Sequence, residues 1–116
     1  MKYRINRKTG DRISEIGMGT AYIVEAPKKE AVRTICHAFE GGINYFDLAA
    51  ADGTAFALFG EALSGVRDEV MYQIHFGADY SNVTYGWTLD LEKVKRSVDK
   101  QLTDLKTDYI NYGFIH

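Results

Sequence analysis

The stretch GGINYFDLAAADGTAFALFGEAL, Gly41–Leu63, decides the fold. Two glycines halt the segment before them. INYFDLA then reads as a short strand, rich in β-branched and aromatic residues, with Asp47 near its carboxyl end. After three alanines, Asp52 or Thr54 caps a helix that carries Phe56, Phe59 and Leu63 on one face and ends near Gly65. Upstream, Pro27 suits the first turn of a helix whose Val32, Ile35, Cys36 and Phe39 recur at helical spacing. Downstream, EVMYQIHFG is a strand closed by Gly77, and ADYSNVTYGWT is a polar, aromatic loop. Thr88 or Asp90 caps a third helix, with Leu91, Val94, Val98, Leu102 and Leu105 as its buried stripe and Glu92–Arg96 as an exposed pair. TDYINYGFIH reads as a fourth strand. At the start, YRINRKTGDRIS alternates around Thr9-Gly10 as a hairpin. SEIGMGTAY holds a short buried strand ending near Gly19, with Ile16 and Met18 facing a core.

After the hairpin the order is therefore β-α-β-α-β-α-β, which calls for a parallel sheet with right-handed crossovers. The 116 residues suffice for one core, and no linker or second domain interrupts them. Apolar residues make up 46 % and charged residues 26 %, which excludes a disordered chain. A net charge of -2 recruits neither nucleic acid nor an anionic membrane. No apolar run approaches the ~20 residues that span a bilayer, and the polar start is no signal peptide. The single cysteine, Cys36, supports no disulfide framework and no cysteine-based zinc site, so the expected compartment is the cytoplasm. The chain stops at the carboxyl end of a strand with no covering helix, so the pattern reads as interrupted.

In parallel α/β folds, chemistry gathers at the carboxyl ends of strands. Gly19-Thr20, Asp47, His75 and His116 all fall there, with Asp52 just beyond Asp47. Each has a plainer reading. Asp47 can cap a loop, Asp52 can cap a helix, and His75 can be a satisfied structural histidine. His116 is the last residue, where a chain frays. Cys36 reads as a small core residue and His37 as surface or packing. Tyr80, Tyr85 and Trp87 either line a pocket or pack their own loop.

GGINYFDLA, then Gly53, FGEAL, RDEVMYQIHFG and LTDLKTDYINYGFIH, in this order and spacing, resemble the amino-terminal half of an aldo/keto reductase. The resemblance implies an α/β fold: half of a (β/α)8 TIM barrel, about four parallel strands and three helices, preceded by the hairpin. Residues 1–116 are then one partial domain, with the hairpin at 1–14 and the half barrel at 15–116. It also implies reduction of a small carbonyl substrate by hydride from NADP(H) or NAD(H), without metal. In the family a tyrosine gives the proton, a lysine lowers its pKa, an aspartate pairs with the lysine and a histidine orients the carbonyl. Carried over, Asp47 matches the aspartate and His116 the histidine. Asp52 stands where the Y-G tyrosine belongs and His75 where the lysine ends its strand. Ala55 and Phe56 stand for the serine and acid that usually follow, and Asn111 for a common aspartate. Gly19, Thr20 and Asp47 match positions near the cofactor.

The resemblance thus implies a degenerate tetrad. An aspartate near its ordinary pKa of about 3.9 cannot donate a proton at neutral pH, whereas His75 or His116 can. The chain alone is expected to be inactive and to bind cofactor weakly or not at all. An iron–sulfur cluster belongs only to a carboxyl-terminal region such as some relatives carry. Two other readings stand beside this one: a non-catalytic binding or scaffold module, and a metal site built from Asp47, Asp52, His75 and His116. Exposed sheet edges lead to an expectation of self-association.

Overall fold

The computed structural model describes residues 1–115. Strands β1 (Tyr3–Ile5) and β2 (Arg12–Ser14) form the antiparallel hairpin. There follow β3 (Met18–Gly19), α1 (Lys28–Glu40), β4 (Tyr45–Asp47), α2 (Ala55–Leu63) and β5 (Met71–Phe76). The chain continues through β6 (Ala78–Asp79), β7 (Gly86–Trp87), α3 (Leu91–Leu105) and β8 (Tyr112–Ile115). Strands β3, β4, β5 and β8 lie side by side in chain order, every pair parallel. A sheet wound in one direction with right-handed crossovers carries its helices on one face. Here α1 packs on α2 and α2 on α3.

Alternation along the strands divides the two faces. Phe46, Tyr72 and Ile74 point to the helices and are fully buried with Ile35, Phe59, Leu63 and Leu105. Phe46 meets Phe59 and Tyr72 edge-on, with ring centroids 5.6 and 6.3 Å away. Tyr45, Asp47, Gln73, His75, Tyr112 and Phe114 take the other face, paired by the register Asp47↔Gln73, Gln73↔Tyr112 and His75↔Phe114. Helix α2 lies at the centre of the helical layer because Gly60 permits it. A Cβ there would collide with the Asp104 carbonyl oxygen and the Leu105 backbone of α3.

Arg67 ties the amino-terminal ends of β5 and β8 together from the 3-10 turn Ser64–Glu69 that follows α2. Its guanidinium donates to Val70 O (2.8 Å), Thr107 Oγ1 (2.8 Å), Tyr109 O (2.8 Å) and Asn111 Oδ1 (3.0 Å). It stacks over the rings of Tyr72 and Tyr109, at 4.4 and 3.8 Å. Asn111 Oδ1 also accepts from Tyr72 N at 3.0 Å, so one amide oxygen joins the guanidinium to the sheet.

Several local expectations need correction. Ile16 is 60 % exposed, because β3 begins only at Met18 and Ile16 precedes the sheet. The segment Ala78–Thr88 is a small antiparallel hairpin, β6–β7, where the sequence reads as a loop. Helix α3 buries Ser97, Gln101 and Leu105, while Leu91 is exposed and Val94, Val98 and Leu102 are only partly covered. The reason is the hairpin. Ser97 Oγ donates to Ala78 O (2.8 Å) and Gln101 Nε2 to Ser97 Oγ (3.1 Å), so the helix turns a polar line toward β6. Of the two caps the sequence offers, Asp90 is the one that caps α3, accepting from the Glu92 and Lys93 amides at 2.9 and 3.3 Å. Glu92 pairs with Lys95 at 2.9 Å rather than with Arg96. The fourth strand starts at Tyr112, since 107–111 are spent on the Arg67 network. No helix among the described residues is long and apolar enough to cross a membrane.

Candidate active site

Asp47 and His75 end adjacent strands on the face away from the helices. His75 Nε2 lies 2.9 Å from Asp47 Oδ1. The His75 side chain is 15 % exposed and that of Asp47 43 %. An imidazole held this way presents a fixed tautomer and edge. On its other side the Phe114 ring meets it edge-on at 5.5 Å. One layer deeper, Tyr45 donates its hydroxyl to Gln73 Oε1, and the Tyr112 ring lies 5.7 Å from that of Tyr45. Burial first, then the Asp47 charge, pushes the Tyr45 phenol up. The face is thus built in layers, as a barrel interior is.

Two adjoining cavities open at these strand ends. A cleft of about 650 Å³ is lined by Gly19, Thr20, Tyr22, Thr34, Asp47 and Ala49. Thr20 is 3 % exposed and its Oγ1 has no hydrogen-bond partner among the described residues. Gly19 would place a Cβ in open space. A buried orphan hydroxyl beside an unobstructed backbone suits a flat polar ring, so these residues fit a nicotinamide. The second cavity, about 460 Å³, is lined by Tyr22, Ala49, Ala50, Ala51, His75, Tyr80 and Tyr85.

The β6–β7 hairpin covers the loop that carries Asp52. Gly53 N donates to Val83 O (2.6 Å), Tyr85 N donates to Ala51 O (3.0 Å), and Asp52 pairs antiparallel with Thr84. Gly53 allows this close approach, since a Cβ would meet Val83 O at 3.0 Å and Tyr80 Cβ at 3.2 Å, tighter than ordinary contact. The Asp52 carboxylate turns to its own loop and accepts from Thr54 N (2.8 Å) and Thr54 Oγ1 (2.7 Å), which hold its pKa below the usual carboxylate range. Asp52 therefore does not join Asp47 and His75. Among the described residues, no group of three or more His, Cys, Asp and Glu side chains is placed to hold a metal ion. His116, named from the sequence as a site residue, lies outside the described residues.

Sequence reasoning missed Tyr22, Tyr45, Gln73 and Phe114 as site neighbours. The period of two in YFD and QIHF was the available signal, because it puts Tyr45 with Asp47 and Gln73 with His75. Tyr80 both lines the cavity and packs the loop: its ring meets Phe56 at 5.0 Å and its hydroxyl donates to Ala50 O at 2.7 Å. Burial pushes the phenols of Tyr80 and Tyr72 up to about 12. Both pKa values are raised above the ordinary 10.0, so the stability they confer is complete below pH 10 and is lost as pH rises toward 12. An ultraviolet titration should show these two phenols ionising well above pH 10, together with loss of near-ultraviolet circular dichroism. Ionisation of Tyr72 and Tyr80 near pH 10 with the fold retained would contradict it.

The aldo/keto reductase family model matches residues 15–116. This chain belongs to the aldo/keto reductase family. Among its relatives, the uncharacterized oxidoreductase YqkF of Bacillus subtilis is 33 % identical over 108 residues, which are 90 % of this chain and 35 % of that protein. Methylglyoxal reductase YeaE of Escherichia coli is 28 % identical over 121 residues, or 100 % of this chain and 40 % of YeaE. The solved structure of aldo-keto reductase AKR11C1 from Bacillus halodurans, in its holo form, superposes with a TM-score of 0.80 at 27 % identity, covering 95 % of this chain and 38 % of that one. An aldo-keto reductase from Klebsiella pneumoniae in complex with NADPH shares the fold, with a TM-score of 0.76 at 22 % identity over 100 % of this chain and 39 % of that one. This aldo/keto reductase chain thus spans 35 % and 40 % of the length of the two curated relatives. Its four parallel strands and three helices are part of a barrel.

Proposed function

We propose that the protein is an oxidoreductase that reduces a small carbonyl substrate with NADP(H), and that this chain supplies one part of the active site. The observation that carries the reading is the Asp47–His75 couple, 2.9 Å apart at adjacent strand ends, beside the cleft that holds the orphaned Thr20 hydroxyl. Gly19, Thr20 and Asp47 would hold the nicotinamide, which supplies a hydride when bound. The family match and the NADPH complex of the Klebsiella relative favour NADP(H). Asp47 fixes the ring of His75, and His75 holds the carbonyl against the apolar floor of Ala49–Ala51. His75 occupies the family lysine position and Asp52 the tyrosine position, so the usual tetrad is altered here.

The chain by itself is expected to bind NADPH weakly and to turn nothing over, because the described residues supply four of the strand ends that surround a barrel's pocket. Fluorescence titration of the chain with NADPH should not saturate in the low micromolar range. Saturation there would overturn the partial-site reading. The full-length protein should oxidise NADPH in the presence of methylglyoxal or benzaldehyde. No oxidation with any aldehyde would leave the non-catalytic binding module as the better account.

A further inference from the structure

Reducing a carbonyl requires a proton at its oxygen as the hydride arrives at its carbon. We propose that Tyr85, on the β6–β7 hairpin, donates that proton; the inference rests on the reductase reading above. Tyr85 lines the same cavity as His75, over the floor made by Ala49, Ala50 and Ala51. Its backbone N–H donates to Ala51 O at 3.0 Å, and the neighbouring Asp52–Thr84 bridge fixes the register. A tyrosine far along the chain is thereby sewn to the turn beside the Asp47 strand end.

The other proton carriers around this cavity are tied to protein partners or stand at its rim. Asp52 is held ionised by two hydrogen bonds from Thr54 and faces its own loop. Tyr80 is buried, and its hydroxyl donates to Ala50 O at 2.7 Å. His75 is engaged with Asp47. Tyr22 stands at the rim, 76 % exposed. Tyr85 combines contact with the cavity and access to water: it is 44 % exposed, and its ring lies 6.0 Å from that of Tyr80. As a hydride from the reduced nicotinamide forms the new C–H bond, the carbonyl π pair moves to oxygen and that oxygen takes the phenolic proton. The Tyr85 phenolate then takes a proton from water, and the products are an alcohol and an oxidised nicotinamide.

The test is Tyr85→Phe in the full-length protein, read in two ways. Without cofactor, the infrared carbonyl stretch of bound, isotope-labelled benzaldehyde should lie at lower wavenumber in the wild type than in the variant, because the wild type adds the Tyr85 hydrogen bond to the contact that His75 makes in both. With NADPH, kcat should fall by about 100-fold or more while KM stays unchanged. Equal stretches and equal kcat in the two proteins would overturn the role of Tyr85 and leave the reductase reading standing. A wild type that oxidises no NADPH with any aldehyde would overturn the reductase reading and the proton-donor role together.

Discussion

Replacing Arg67 with alanine is expected to destabilise the chain by about 3 to 5 kcal/mol. Arg67 is 9 % exposed, and its guanidinium serves four acceptors: Val70 O, Thr107 Oγ1, Tyr109 O and Asn111 Oδ1. Its removal leaves those oxygens without their charged donor, and each one left buried and unpaired costs about 1–3 kcal/mol. The Tyr72 and Tyr109 rings also lose the plane they stack on. For a domain whose total stability is on the order of 5–15 kcal/mol, such a loss leaves little margin. Lysine should not rescue, because a point charge cannot reproduce the planar fork that reaches four acceptors. Urea denaturation of Arg67→Ala and Arg67→Lys gives the answer. A midpoint within experimental error of the wild type in either variant would show that water replaces the guanidinium at little cost.

Replacing Asp47 with alanine should lower kcat of the full-length protein by on the order of 100- to 1,000-fold while leaving the fold intact. Asp47 read two ways in the sequence, as a loop cap or as a site group. Its side-chain partner is the His75 imidazole at 2.9 Å. With 43 % of the side chain exposed, little burial is lost on truncation, so the melting temperature should barely move. Without the carboxylate, the His75 ring loses its hydrogen bond to Asp47, one of the contacts that orient it. Asp47→Asn should be milder, since an amide oxygen can still accept from an imidazole N–H. A variant that keeps wild-type turnover would reduce Asp47 to a surface residue. One that unfolds would return it to a structural role.

Much of the architecture was legible because it is local. The alternation of strand and helix, the Asp90 cap and the buried Phe56, Phe59 and Leu63 each follow from spacing along a few residues. Asp47 and His75 were legible as site candidates because each follows an apolar strand. What failed was settled by contacts distant in sequence. The β6–β7 hairpin has no strong local signal, as its strands are two residues each and its position depends on the Asp52 loop. The buried face of α3 shifted because Ser97 reaches the Ala78 carbonyl, 19 residues away. The Arg67 network joins residues up to 44 apart.

By itself the sequence determined that this protein is a singly wound run of strand–helix units with acids and histidines at the strand ends. Hydrophobic period and capping chemistry act within one or two turns, so they are written into short stretches of chain. Only the tertiary structure decided that Asp47 meets His75, that Asp52 turns away to Thr54, and that Tyr85 comes to the cavity. Those outcomes depend on which strand ends are neighbours and on which loop crosses them. Parallel pairing sets the first, bringing Asp47 within 2.9 Å of a residue 28 positions away. Two backbone hydrogen bonds set the second, Tyr85 N donating to Ala51 O and Gly53 N donating to Val83 O, and each joins residues at least 30 positions apart.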